Sequence, residues 1–289
     1  MISIIETNEN EVIMTKFPMS VASYSFHGLL GEGKCDVFRY LTLSKDHYKV
    51  PMVDIWSGFL PTLDDDFISK VRSELDRLDL TLANLCVDGP HLWMDNADER
   101  AEHKKKALEY IRAAEKLGAK TIRIDFGGTA GHTMSEEAFD YIAATYREYA
   151  EICGNAGMLI GPENHWGWDN VPEYLEKVCQ AVNHPAYGHL YHFRNFFDET
   201  ERGEAYGIAH AMHTHIHAAT VVYAKDVIRR LALSGYQGSY SIEHHSGHLE
   251  IARTDWQIAT VRGLMAELND EGLENVATDN YFSGIYAGK

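Results

Sequence analysis

Four short stretches of this chain each end a strand-like run with a residue able to bind metal, and they follow one another in order. They are Gly161-Pro162-Glu163-Asn164-His165, Leu190-Tyr191-His192, His213-Thr214-His215-Ile216-His217 and Ser241-Ile242-Glu243-His244-His245. Two carboxylates and two sources of imidazole are what a divalent cation takes from a protein. Residues so far apart in sequence meet only if the fold returns each strand end to one place. A closed barrel of parallel strands does that.

The rest of the chain agrees with a barrel. Strand candidates are Met19–Ser25, Met52–Ile55, Thr81–Cys86, Thr121–Phe126, Met158–Glu163, Gly188–His192, Met212–His217 and Tyr240–Glu243. Between them, apolar residues at helical spacing predict helices over Asp65–Asp79, Asp98–Leu117, Ser135–Asn155, Val171–Val182, Thr220–Leu233 and His248–Leu268. Gly118 and Gly235 stand where helices end, and Ser135 precedes Glu136-Glu137 as a capping hydroxyl ahead of acidic first-turn residues. Strands mostly followed by helices predict an α/β fold, a (β/α)8 TIM barrel. A doubly wound nucleotide fold fits less well, because Ser25-Phe26-His27-Gly28 with Gly31 and Gly33 is not G-x-G-x-x-G. No Pro- or Ser-rich linker divides the chain. It is therefore expected to be one domain over residues 1–289, with the barrel over 19–268 and a C-terminal extension over 269–289. Tyr281, Phe282 and Tyr286 in that extension suit packing against another subunit, so a homo-oligomer is one expectation.

The formal charge of −17 opposes phosphate backbones, so nucleic acid is not an expected partner. The one lysine run, Lys104-Lys105-Lys106, lies among Glu99, Glu102 and Glu109 and reads as a solvated helix face. Cys35, Cys86, Cys153 and Cys179 form no C-x-x-C pair, which fits a reducing compartment. Glu6, Glu9 and Glu11 stand where a signal peptide needs apolar residues, and no stretch has membrane-spanning length. A cytoplasmic protein without a membrane partner is expected.

Alternation along each strand assigns faces. Glu163 and His165 share one face, and the aromatic loop Trp166-Gly167-Trp168 after them suits a pocket wall. His213, His215 and His217 share another; three buried imidazoles would each need a partner, so one is expected to bind metal, one to orient a neighbour and one to be structural. Glu243 closes the last strand with His245 on its face. Two such carboxylates suit removal of a proton from one face of a carbon and its return to the other. His192 with Asn195 is the least marked of the four endings. Arg123 and Asp125 share a face, either as an internal ion pair or as a substrate contact, and His91 shares one with Trp93.

At these residues the chain resembles the sugar phosphate isomerase/epimerase superfamily, the xylose isomerase-like barrels of the AP endonuclease 2 family. The resemblance runs from Met19 to Leu268. It is carried by Leu117-Gly118-Ala119-Lys120-Thr121-Ile122-Arg123, Glu163-Asn164-His165, His213-Thr214-His215 and Gly235-Tyr236-Gln237-Gly238 before Ser241-Ile242-Glu243. It implies a metal held by Glu, Asp, His and Glu, with the glutamates at Glu163 and Glu243 as an acid/base pair and the histidine at His215. Two departures stand out. The usual sixth-strand motif is Asp-Phe-Gly-Asn-Phe, whereas this chain has His192-Phe193-Arg194-Asn195-Phe196, and His217-Ala218 replaces a usual Lys-Asp. A histidine for the aspartate removes a negative charge and favours zinc, manganese or iron over magnesium.

The expected function is thus a divalent-metal-dependent isomerase or epimerase of a small sugar or keto-sugar. Glu163 and Glu243 are the expected catalytic pair, and Glu163, His192, His215 and Glu243 the expected ligands of Mn, Zn, Mg or Fe. His165, Asn195, His91, Arg123, Trp56, Trp166 and His217 are expected to contact a small carbohydrate. A lyase or dehydratase of keto-sugars or keto-glycosides is the first alternative, with His217, His245 or His248 as leaving-group acid. A metal-binding barrel without catalysis is the second.

Overall fold

Among the described residues, eight short parallel strands carry the apolar runs. A computed structural model describes residues 17–129 and 131–273. The strands are β1 (Met19–Val21), β2 (Met52–Trp56), β3 (Thr81–Cys86), β4 (Thr121–Arg123), β5 (Leu159–Gly161), β6 (His189–His192), β7 (Ala211–His217) and β8 (Tyr240–Glu243). They pair in the orders β2-β3-β4-β5 and β1-β8-β7-β6. Parallel bridges Ala22↔Asp54, Ile160↔Tyr187 and Glu163↔Leu190 join the two runs, so the ring closes as a TIM barrel. The helices are α1 (His27–Gly31), α2 (Val37–Thr42), α3 (Asp65–Arg77), α4 (Ala97–Leu117), α5 (Glu136–Asn155), α6 (Pro172–Val182), α7 (Thr200–His210), α8 (Ala224–Leu233) and α9 (Glu250–Asp270).

Local chemistry sets the boundaries. Asn96 accepts from the backbone of Asp98 and Glu99 to start α4, and Ser135 accepts from Ala138 N to start α5. Gly118 ends α4 in the left-handed region at φ 72°, a conformation open to glycine without a Cβ clash. At Gly161 the reason is space: an added Cβ would lie 1.8 Å from the carbonyl oxygen of Gly188, so glycine lets β6 approach β5.

Several expected strands are shortened. The runs proposed over 121–126 and 158–163 leave the ladder after Arg123 and Gly161. Their remaining residues form the rim, where Asp125 accepts from the Glu163 backbone at 3.0 Å. The helix expected from Thr220 begins at Ala224, behind a 3-10 segment over Ala218–Tyr223. α7 was not expected at all. The aromatics Tyr281, Phe282 and Tyr286 and the acidic residues Glu6, Glu9 and Glu11 lie outside the described residues. Among those described, no helix is long and apolar enough to cross a membrane.

The inside of the barrel is polar below its mouth. Asp54 Oδ1 accepts from Asn84 Nδ2 at 3.0 Å, and Asn84 Oδ1 accepts from the Thr121 hydroxyl at 2.8 Å. Asp54 Oδ2 accepts from His213 Nε2 at 2.8 Å, His215 Nε2 at 2.7 Å and Ser241 Oγ at 3.1 Å. All six residues are buried, and each side chain has a partner. This layer is the platform on which the mouth is built.

Candidate metal centre

The strand ends converge. Glu163, His192, His215 and Glu243 are all buried and offer ligand atoms that lie within 4.8 Å of one another. Both imidazoles point Nδ1 at Glu163 Oε1, His192 at 2.9 Å and His215 at 2.8 Å. The same two atoms face Glu243 Oε2 at 3.9 and 3.4 Å. Two anionic carboxylates and two imidazoles on one small volume are a donor set suited to a borderline divalent cation. The residues present therefore fit the metal that the fold implies. His192, the odd member of the set, pairs with His215 in the β6–β7 register and turns its ring into the cluster.

Each member is held from behind. His215 Nε2 binds Asp54, so Nδ1 is the atom directed at the cluster. Burial opposes charge on His215, but Glu243, Glu163 and Asp54 outweigh it and raise its pKa well above the ordinary value. Burial would raise Glu163, yet His215, His165 and Arg123 hold it well below the carboxylate range. Burial acts likewise on Glu243, where His215, the hydrogen bond from His245 and His192 bring it to about 2. His192 is shifted down, chiefly by burial, which keeps its imidazole neutral and able to ligate. Asn164 frames it, accepting from His192 N at 2.8 Å and donating to His192 O at 2.8 Å.

The three histidines of β7 part company. His213 stays below the cluster on Asp54. His215 joins the cluster, and His217 stands above it, stacked on His245 at 4.2 Å. Burial and the neighbouring His245 and His192 bring His217 down to about 4. His245 Nε2 lies 3.0 Å from Glu243 Oε2.

A cavity of about 260 Å³ opens over the cluster, lined by Tyr24, Trp56, Asp88, Arg123, His165 and His245 above the four clustered side chains. Of the residues expected to contact substrate, Trp56, Arg123 and His165 line the cavity. His91, Trp166, Asn195 and His217 are not among its lining residues. His91 and Trp166 contact each other at 4.4 Å, and Trp166 Nε1 donates to Asp125. Asn195 donates to the Asn164 carbonyl at 3.1 Å and so braces the loop after β6. Trp93 turns away to Arg100 and Asp95. Arg123 and Asp125 form a buried ion pair at 2.8 Å. Sequence reasoning passed over Asp54, Asn164 and Asp88. A lone Asp at the centre of the apolar β2 run is the one signal that pointed inward.

The chain matches the family model described as xylose isomerase-like TIM barrel over residues 47–267. It belongs to that family. Solved structures with xylose isomerase-like barrels are among its structural likenesses. A D-tagatose 3-epimerase-like protein superposes with a TM-score of 0.69 at 16% identity, covering 88% of this chain and 99% of that one. A xylose isomerase-like TIM barrel protein from Mycobacterium smegmatis in complex with magnesium gives 0.63 at 15%, covering 86% and 98%. The probable 3-DHS dehydratase involved in petrobactin synthesis from Bacillus anthracis gives 0.64 at 15%, covering 86% and 98%. At these identities the likeness is one of fold. No curated protein matches the chain.

Proposed function

We propose that this barrel is a divalent-metal-dependent isomerase or epimerase acting on a small sugar or keto-sugar. The observation that carries the reading is the pairing of two buried, ionised carboxylates, Glu163 and Glu243, around two imidazoles on the floor of a small cavity. The cavity lies near the lower end of the ~300–1,000 Å³ common for ligand sites, which suits a small substrate. Glu163, His192, His215 and Glu243 would hold the cation. When bound, it supplies electrophilic stabilisation of the negative charge that develops on substrate oxygen.

The chain's own residues supply the rest. One glutamate, as the base, takes the proton from the carbon next to the carbonyl, and the other, having taken up a proton from solvent, delivers that proton to the carbon from its own side. Arg123, 3.1 Å from Glu163 Oε2, and His245, 3.0 Å from Glu243 Oε2, fix how each carboxylate points. Asp54 sets the orientation of His215. His165, with Nδ1 3.6 Å from Glu163 Oε2, stands at the cavity within reach of a substrate oxygen or hydroxyl. Trp56 offers an aromatic surface to sugar C–H groups.

The stacked His217–His245 pair favours a second reading, a dehydratase or lyase, because it sets a candidate leaving-group acid beside Glu243. One experiment separates the two. With metal-loaded protein and a keto-sugar panel in D2O, the isomerase reading predicts deuterium in recovered substrate and in its isomer. Loss of water or aglycone would establish the lyase instead. Tight metal binding with neither outcome would overturn both enzymatic readings.

A further inference from the structure

Above the four clustered side chains, Arg123 is, among the described residues, the one Lys or Arg side chain lining the cavity. Its guanidinium is already committed to the protein. Nη1 donates to Val87 O at 2.9 Å, Asp88 Oδ1 at 2.7 Å and Asp125 Oδ2 at 2.8 Å. Nη2 donates to Cys86 Sγ at 2.7 Å, and Nε lies 3.1 Å from Glu163 Oε2. All three nitrogens thus face protein partners, and the side chain is 4% exposed. A phosphate entering here meets no open bidentate fork.

What the cavity does present is Asp88, whose side chain is 45% exposed. Oδ1 accepts from Arg123, and Oδ2 accepts from Trp56 Nε1 at 2.6 Å, which fixes the carboxylate plane at the wall. Burial would raise its pKa, but the charge and hydrogen bond of Arg123 and the hydrogen bond of Trp56 hold it below the ordinary value. An ionised carboxylate has about four acceptor sites, so each oxygen keeps capacity for a ligand. It can only accept, so the ligand group must bring the proton. A hydroxyl does; a phosphate monoester carrying about −1.5 to −2 charge brings repulsion instead.

We propose that Asp88 is a specificity-determining residue of this site, accepting hydroxyl protons from an uncharged polyhydroxy ligand and excluding its phosphorylated counterpart. This deepens the proposed function and rests on it for a sugar as the ligand class. The test is calorimetric binding to the Mn2+-loaded protein of a panel of neutral ketoses, each beside its terminal phosphate ester. Asp88→Asn, which keeps an acceptor and the shape of the side chain but loses the charge, is measured in parallel. A hydrogen bond to a charged group corresponds to about 10-fold or more in affinity. The expected result is a neutral ketose preferred over its phosphate by ~10-fold or more in the wild type, with that preference reduced about 10-fold in Asp88→Asn. A phosphate that binds as tightly as its parent overturns the proposal, as does a panel without a neutral binder or a preference unchanged in the variant. Binding is read without turnover. Selective binding without C–H exchange would therefore sink the proposed reaction alone, and turnover of a phosphate ester would sink this inference alone.

Discussion

Asp54 shows how one side chain can govern a centre it does not enter. Its Oδ2 receives His213, His215 and Ser241, so the tautomer and tilt of His215 are set from below. Asp54→Asn is expected to weaken metal binding by roughly 10–100-fold while the chain stays folded, measured by competition with a chelator and by circular dichroism. Unchanged affinity would mean that β7 alone orients the ring. The glutamates predict a different signature. Glu163→Gln or Glu243→Gln should lower C–H exchange by on the order of 10²–10⁴. Exchange surviving at the wild-type rate in either variant would remove that residue from the acid/base pair.

Among the elements, the β6–α7 connection distinguishes this chain from the usual motif. Arg194 stands where that motif has glycine, and it keeps the left-handed backbone at φ 54°. Side-chain contacts offset the strain. Arg194 Nη1 binds buried Glu204 at 3.1 Å, its guanidinium lies 4.6 Å from the Tyr223 ring, and its backbone N–H donates to Tyr191 Oη. Arg194→Ala should cost roughly 1–2 kcal/mol by chemical denaturation, since Arg230 remains on Glu204. A variant as stable as the wild type would show that these contacts contribute nothing net. The same region shows where the sequence is hard to read. α7 contains Gly203 and Gly207, which interrupt the apolar periodicity and argue against a helix. Both are required by packing, because a Cβ would meet the Phe196 ring at 2.6 Å and the Tyr191 ring at 2.5 Å. α4 and α5 were legible because a cap and the periodicity agree, and α6 through its periodicity. The convergence of the four strand ends Glu163, His192, His215 and Glu243 was legible through their order. Asp54 was not, since its meaning depends on His213, far along the chain on the opposite arc of the ring.

For the whole molecule, a histidine buried between the barrel wall and α7 makes stability depend on pH. His189 is buried with Nε2 on Asn164 Oδ1, and burial lowers its pKa from the usual 6.5 to about 3. Its folded-state pKa is depressed, so the folded form keeps it neutral while the unfolded chain takes up a proton below pH 6.5. The resulting stability is fully present above that pH and is lost as pH falls toward about 3. The limiting slope for one such group is ~1.4 kcal/mol per pH unit. His189→Gln should flatten the fall in unfolding free energy between neutral pH and pH 4.5, and parallel curves for variant and wild type would contradict this. The larger claim is that the barrel gathers Glu163, His192, His215 and Glu243 onto one cation. A crystal soaked in Mn2+ and measured at the manganese absorption edge tests it most directly. One anomalous peak is expected within coordination distance of all four side chains, with His192 bound through Nδ1. A peak held by Glu163, His215 and Glu243 with the His192 ring turned away would contradict it.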